Sequence, residues 1–164
     1  MKLYNDLILI RHSENIADEN LPNSLLPLSE KGILQAAEAA KQLSGKYDVV
    51  ISSTSKRTIM TANIITNNSS SIQDARLLES GWGNSQQDGK ETSEEAKIRF
   101  KCFLGETLKK YKNKKILLVT HGALMKLAQD VIEDKCELRD SIDNCTIIEY
   151  GKDKKKKIIK SSIK

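Results

Sequence analysis

Both histidines of the chain stand just after a run of four aliphatic residues. His12 follows Arg11 at the end of residues 7–10, and His121 follows closely after residues 116–119. Runs that are apolar at every position predict strands buried on both faces, and two histidines would seldom fall at two such points by chance. Ligands of open α/β sheets bind beyond the carboxyl ends of the strands. The pattern therefore predicts a site of imidazoles and a guanidinium, which suits an anion.

Two further residues fit such a site, although each is weak evidence alone. Arg57 lies in the first turn of a predicted helix that follows a third aliphatic run, residues 49–51, and a helix N-terminus already favours an anion. Glu79 follows a predicted extended segment around residues 75–78, where a carboxylate could donate a proton. Taken singly, a solvated helix arginine and a surface glutamate are the ordinary interpretations.

Alternating strands and helices would bring these residues together. Helices are predicted over residues 29–45, from residue 55, over 93–112 and after 122, with strands at 7–10, 49–51 and 116–119 and a closing hairpin of 146–150 with 157–161. The strands are too apolar for one face to be solvated, so we expect an α/β fold in three layers (α-β-α) with a mostly parallel central sheet. Right-handed crossovers then place the loops that follow the strands at one edge of the sheet.

Two guanidiniums and two imidazoles at one edge would bind a dianionic phosphate strongly. The sequence has no catalytic cysteine motif, no P-loop and no cluster with metal-ligand spacing, which leaves few nucleophiles. A histidine can serve as one, forming a covalent phosphoenzyme that divides the transfer into two easier steps.

Composition narrows the class of protein further. A chain of 164 residues is long enough for one domain with a real core. Its net charge of +5 resides in the tail, because residues 152–164 carry +6 and the remaining body −1. Such a tail is typical of a solvated edge strand, where lysines discourage aggregation. With only 4% aromatic residues, a base-stacking surface is not expected, so we predict no nucleic-acid partner.

Cysteine usage and hydropathy predict a cytoplasmic protein. Cys102, Cys136 and Cys145 are odd in number and widely spaced, as free thiols in a reducing compartment are. No signal peptide is evident, and no apolar stretch approaches the roughly 18 residues that a membrane span needs. We therefore expect no membrane association, and the sequence does not indicate an oligomeric state.

A series of motifs resembles the histidine phosphatase superfamily, which includes cofactor-dependent phosphoglycerate mutases and many small phosphatases. In chain order they are residues 9–12, 27–32 with Gln35 and Ala36, Ser52 and Ser53 with Arg57, Thr61 and Ala62, Leu78 and Glu79 with Gly83, residues 119–122, and residues 144–146. The resemblance covers most of the chain. It implies a phosphoglycerate mutase-like fold as a single domain over residues 1–164, with a minimal cap because the stretch between Glu79 and the long helix is short.

The resemblance also implies a role for each matching residue. His12 would be the nucleophile that takes up the phosphoryl group, while Arg11, Arg57 and His121 would bind the phosphate oxygens. Glu79 would protonate the leaving oxygen and later help to activate water. No metal and no cofactor are implied, since the arginines supply the positive charge.

Departures from the family pattern affect the phosphate site. Ser13 replaces the glycine after the nucleophile, and its hydroxyl would donate another hydrogen bond to phosphate or narrow the pocket. Asp18 stands where the family often has a phosphate-binding asparagine, so Asn15 or Asn20 would substitute for it. Thr54 replaces the usual proline, a change that we expect to be harmless.

These considerations favour a phosphatase that hydrolyses phosphate monoesters, acting on a small phosphorylated metabolite or a phosphoprotein. A mutase of the phosphoglycerate type is an alternative, although mutases are longer and close over a bisphosphate primer. A catalytically inactive phosphate-binding regulatory module is another, suggested by Ser13 and Asp18. Specificity would lie in the loops at residues 13–28 and 80–95.

Overall fold

The computed structural model describes residues 5–67, 71–81, 91–137, 139–153 and 155–163. The strands in these ranges are β1 Leu7–Arg11, β2 Val49–Ser52, β3 Ile72–Gln73, β4 Ile116–Thr120, β5 Ile147–Tyr150 and β6 Lys156–Ile159. The helices are α1 Glu30–Leu43, α2 Lys56–Ile65, α3 Ser93–Lys110 and α4 Gly122–Glu133. Gly83, which belongs to one of the motifs, lies outside the described residues, as does most of the loop at 80–95.

The strands form one sheet with the order β3-β2-β4-β1-β5-β6. The first four strands in this order are mutually parallel, and β5 and β6 add an antiparallel hairpin. The expected α-β-α layers with a mostly parallel sheet are therefore confirmed. The lysine-rich β6 lies at the edge of the sheet, as the charge of the tail predicts.

Side chains of each central strand alternate between two hydrophobic cores. In β1, Leu7 and Leu9 pack in one cluster with residues of α3 and α4. Ile8 and Ile10 pack on the opposite face with residues of α1 and α2. Because both faces are covered, every position of such a strand must be apolar, which explains the aliphatic runs.

Two local predictions were wrong. Residues 75–78 are not extended, because the Asp74 carboxylate accepts a hydrogen bond from the Arg76 N–H and caps a 3-10 turn at Ala75–Leu77. In α1, the helical spacing of Ile33, Ala36 and Leu43 predicts that all three face the core, but Ile33 is 44% exposed. The buried stripe of α1 consists instead of Gly32, Gln35, Ala36, Ala39 and Leu43, because this face packs on the loop after β1 as well as on the sheet.

The carboxyl ends of β1, β2 and β4 meet at one edge of the sheet. Their register continues beyond the strands, since the His12 N–H donates to Thr120 O at 2.8 Å and the Ser53 N–H to Val119 O at 3.0 Å. Residues 11–13, 52–53 and 120–122 are thereby held side by side. Among the described residues, no helix has the length and apolar character to cross a membrane.

Candidate active site

His12 is buried at the end of β1, and a backbone carbonyl fixes the tautomer of its ring. Its Nδ1 lies 2.7 Å from the carbonyl oxygen of Ser13. A carbonyl can only accept, so Nδ1 carries the hydrogen and Nε2 carries the lone pair. Burial, together with the neighbouring Arg57 and Arg11, lowers the pKa of His12 to about 3. The ring is therefore a neutral base near pH 7.

Arg57 joins the two histidines. Its guanidinium is placed by the first turn of α2, is 5% exposed, and donates from Nε to His12 Nε2 at 3.2 Å. Nη2 lies 3.3 Å from His121 Nδ1, and Nη1 donates to Asn23 O at 2.6 Å. The loop at residues 13–28 is thus tied to the site through Asn23.

His121 has the opposite hydrogen-bonding arrangement to His12. Because a guanidinium only donates, His121 Nδ1 accepts from Arg57, and the ring hydrogen lies on Nε2, 3.1 Å from the Ser53 hydroxyl. Burial lowers its pKa to about 2, with His12 and Arg57 adding to the effect. The two imidazoles stand nearly perpendicular, with ring centroids 5.1 Å apart.

Arg11 crosses the N-terminus of α4 with its Nε buried and unpaired. Its Nη1 donates to Ile142 O, whereas Nε is buried without a hydrogen-bond partner. Gly122 makes this path possible, since a Cβ on residue 122 would stand 3.3 Å from Arg11 Nε and 3.4 Å from Cδ. A buried unpaired donor is costly, so this place suits an anion that accepts from it.

Glu79 reaches the same helix end from the other side. Its carboxylate accepts hydrogen bonds from Leu124 N at 2.9 Å and from Ser80 N at 3.0 Å, and lies 3.4 Å from Ala123 N. Its negative charge raises the pKa of Arg11 and Arg57 against the larger, opposing effect of their burial. The carboxylate therefore lies within electrostatic reach of both guanidiniums.

Residues around the loop after His12 explain two of the sequence motifs. A Cβ on Gly32 would stand 1.9 Å from Glu14 O, so only glycine lets α1 approach this closely. Gln35 accepts from Glu14 N at 3.0 Å and donates to Ile163 O at 3.0 Å. Ser13 N donates to Thr61 Oγ1 at 3.1 Å. These contacts fix the backbone beside His12.

Ser13 faces the interior in this structure. Its hydroxyl lies 2.9 Å from Cys145 Sγ, and burial raises the pKa of that thiol to about 11. Asn144 Nδ2 donates to His12 O at 3.1 Å. Ser13 and Asn144 therefore help to fix the backbone that carries His12. A contact between the Ser13 hydroxyl and phosphate stays a prediction.

Asn15 and Asn20, which would substitute for the family's asparagine, and Asp18 form hydrogen bonds within their own loop. Asp18 Oδ1 accepts from both the backbone N–H and the side-chain amide of Asn20, at 2.9 and 3.1 Å. Asn15 Nδ2 donates to Ile16 O at 2.8 Å. Asp18 thus closes a turn with its charge partly satisfied, and both asparagine amides are engaged locally.

Sequence reasoning assigned no role to three residues that build the site, although Ser53 and Thr120 lie within the motifs. Ser53 is the partner of His121, the Thr120 hydroxyl donates to Leu77 O at 2.7 Å, and Arg99 donates to Leu78 O at 3.1 Å. A small polar residue just after or within a buried strand was the available signal for Ser53 and Thr120. Arg99 is one of several charged residues of α3 and gave no signal. No group of three or more potential metal ligands occurs in the part of the chain that the structure describes.

The family assignment follows from sequence. A family model described as the histidine phosphatase superfamily (branch 1) matches residues 7–97, more than half of the chain, so the chain belongs to that superfamily. No curated protein sequence matches it.

Solved structures share the fold over nearly the whole chain. A variant of phosphoserine phosphatase from Entamoeba histolytica, in complex with phosphoserine, is 23% identical with a TM-score of 0.67 over 88% of this chain and 89% of that chain. A mycobacterial glucosyl-3-phosphoglycerate phosphatase is 17% identical with a TM-score of 0.70 over the same shares. YhfR from Bacillus stearothermophilus is 21% identical with a TM-score of 0.70 over 90% and 92%. The expected phosphoglycerate mutase-like fold is confirmed.

Proposed function

We propose that the protein is a phosphatase that hydrolyses phosphate monoesters through a phosphohistidine formed on His12. The observation that carries this proposal is the ring state of His12. The Ser13 carbonyl holds the hydrogen on Nδ1, and the lone pair of Nε2 faces the guanidinium of Arg57. Its depressed pKa keeps this nitrogen unprotonated at neutral pH, as a nucleophile requires.

In the first step, His12 Nε2 attacks phosphorus and the bond to the ester oxygen breaks. Arg57 donates from Nε to Nε2 of this ring, so its guanidinium must turn from the ring to the phosphate oxygens as the ester binds. The unpaired Nε of Arg11 joins it in stabilising the transferring phosphoryl charge. As Arg57 turns away, His121 Nδ1 loses its donor, takes up a proton beside the anionic phosphate and donates to it as well. Glu79 takes up a proton as the anionic ester binds beside it and gives this proton to the leaving oxygen.

In the second step, a water molecule attacks the phosphohistidine. Glu79, now ionised, takes a proton from that water, the N–P bond breaks, and inorganic phosphate leaves with His12 restored to its neutral form. The two guanidiniums supply the positive charge that the transfer needs, so we propose that neither a metal nor a cofactor takes part. Undiminished turnover in the presence of EDTA is the expected result.

The proposed substrates are small phosphorylated metabolites, with a phosphoprotein as the other possibility. The superfamily membership and the phosphorylated compounds named for the structural relatives, phosphoserine and glucosyl-3-phosphoglycerate, support this class. The short stretch between Glu79 and α3 favours hydrolysis over mutase transfer. Turnover that depends on added 2,3-bisphosphoglycerate would instead indicate a mutase.

Release of inorganic phosphate from 4-nitrophenyl phosphate tests the activity, and a panel of phosphorylated metabolites and phosphohistidine peptides tests the substrate class. The wild type should release phosphate, and His12→Ala and His12→Asn should not, with unchanged circular dichroism. Activity that persists in either variant would refute the assignment of His12. A wild type that binds phosphate yet hydrolyses nothing on the panel would indicate the inactive regulatory module.

A further inference from the structure

Three consecutive carbonyl groups just before Glu79 are held by side chains from two different elements. Arg99 Nη1, from α3, donates to Arg76 O at 2.6 Å and to Leu78 O at 3.1 Å. Thr120, at the end of β4, donates to Leu77 O at 2.7 Å. Hydrogen bonds from α3 and from β4 therefore fix the backbone just before Glu79.

Glu91 orients the guanidinium of Arg99. Nε lies 2.5 Å from Glu91 Oε1, and Nη2 lies 2.6 Å from Oε2, a two-pronged pair with high geometric specificity. The side chains are only 20% and 22% exposed. Four of the five N–H groups of a guanidinium are thus used on protein oxygens, which leaves Arg99 little capacity to bind a substrate.

We propose that Arg99, oriented by Glu91, is the positioning residue for Glu79 in proton transfer. This proposal rests on the proposed function, in which Glu79 is the general acid. Glu79 must place its carboxylate beside the leaving oxygen while it contacts the first amides of α4, and a displacement of about 1 Å can cost on the order of 100-fold in rate. Releasing Leu78 O would allow such a displacement.

The amides of Ala123 and Leu124 report the position of Glu79 without any turnover. As N–H groups in the first turn of α4, they have no acceptor within the helix, and the Glu79 carboxylate lies against both. When Glu79 moves away, hydrogen exchange at these two amides should accelerate. This readout is independent of whether the protein is a phosphatase.

The central variant is Arg99→Gln, tested on two esters. Phenyl phosphate has a basic leaving group that needs a proton, whereas 4-nitrophenyl phosphate has a good one. We expect kcat/KM to fall by about 10- to 100-fold for phenyl phosphate and by much less for 4-nitrophenyl phosphate. Arg99→Lys should not restore activity on phenyl phosphate, because one ammonium cannot serve two carbonyls and Glu91 together.

Arg139→Gln is the matched control. Arg139 is 11% exposed and paired with Asp130 and Glu133, near the opposite end of α4, roughly 13 Å along the helix from Leu124. Its loss should lower thermal stability as the loss of Arg99 does, and leave the ratio of the two kcat/KM values unchanged. A shift of this ratio in Arg139→Gln equal to that in Arg99→Gln would overturn the proposal.

The Glu79→Gln background separates the two proposals. When Arg99→Gln is added to Glu79→Gln, kcat/KM should not fall further for phenyl phosphate or for 4-nitrophenyl phosphate, since Arg99 acts through Glu79. An equal loss in both backgrounds, or rescue by Arg99→Lys, overturns the positioning role and leaves Glu79 as the acid. If Glu79→Gln slows both esters equally, or if the wild type is inactive, the acid assignment fails. The exchange rates of the Ala123 and Leu124 amides then still decide whether Arg99 positions Glu79. In Arg99→Gln these rates should rise toward those in Glu79→Ala, which has no acceptor at this place.

Discussion

The loops that carry His12 and His121 look alike in sequence and differ in their hydrogen bonds. Each histidine follows a buried parallel strand, and each is almost inaccessible to solvent, at 5% and 0%. In His12 the ring hydrogen is on Nδ1 and points to a backbone carbonyl. In His121 the ring hydrogen is on Nε2 and points to a serine hydroxyl. The loop sequences therefore place the two imidazoles. The groups around each ring decide which of its nitrogens carries the hydrogen and which carries the lone pair.

Exchanging each histidine for alanine should give the largest difference between the two loops. We expect His12→Ala to lower kcat by about 10⁴-fold or more, because the nucleophile is gone, and His121→Ala by about 10²- to 10³-fold, because one charge-stabilising donor is gone. Steady-state release of phosphate measures both. Equal losses would mean that the two loops are functionally equivalent.

Arg57 contacts both rings, so its removal should affect binding and transfer together. We expect Arg57→Ala to lower kcat/KM by about 10²- to 10³-fold. Arg57→Lys should recover only part of that loss, since an ammonium lacks the fork that spans both histidines. Inhibition by inorganic phosphate should weaken in parallel. Full recovery with lysine would show that charge alone matters at this position.

Each loop also depends on one glycine, for different reasons. At Gly122 a methyl group would press on the side chain of Arg11, while at Gly32 it would meet the backbone of Glu14. We expect Gly122→Ala to lower kcat/KM roughly 10-fold through a displaced Arg11, with little loss of stability. Gly32→Ala should instead cost about 1–3 kcal/mol in the free energy of unfolding, because backbone must shift. Urea unfolding and kinetics of both variants test this contrast.

The pH dependence of stability should reflect the burial of both imidazole rings. Burial lowers the pKa of His12 to about 3 and of His121 to about 2, against about 6.5 in an unfolded chain. Below about pH 6.5 both histidines bind a proton in the unfolded state but not in the folded state. The free energy of unfolding therefore falls as the pH drops toward 3. His121→Gln should make this slope shallower between pH 6.5 and 5, as measured by urea unfolding. An unchanged slope would mean that the His121 ring is accessible to protons.

The strand ends were predictable from the sequence because buried parallel strands must be aliphatic throughout. Arg11, His12, Arg57, Glu79 and His121 do gather at one edge, as the topology requires. The free nitrogen of each ring was not predictable from local pattern, since it depends on Ser13 O in one case and on Ser53 and Arg57 in the other. These contacts arise only when β1, β2 and β4 lie side by side.

Contacts between distant segments account for the remaining surprises. Residues 75–78 were expected to be extended, but Ala75–Leu77 form a turn that Asp74 caps. Arg99 from α3 sets the position of this turn. The direction of the Ser13 hydroxyl is set by Cys145, far along the chain. Motif matching marked Cys145 and its neighbour Asn144 without indicating what they contact.

Trapping the phosphoenzyme tests the central claim most directly. The enzyme would be mixed with substrate, quenched within its first turnover, digested under alkaline conditions and examined by mass spectrometry. The phosphoryl group should be found on His12, in the wild type and in His121→Ala, and on no residue of His12→Ala. A phosphoryl group on His121, or on another side chain such as Cys145, would contradict the account.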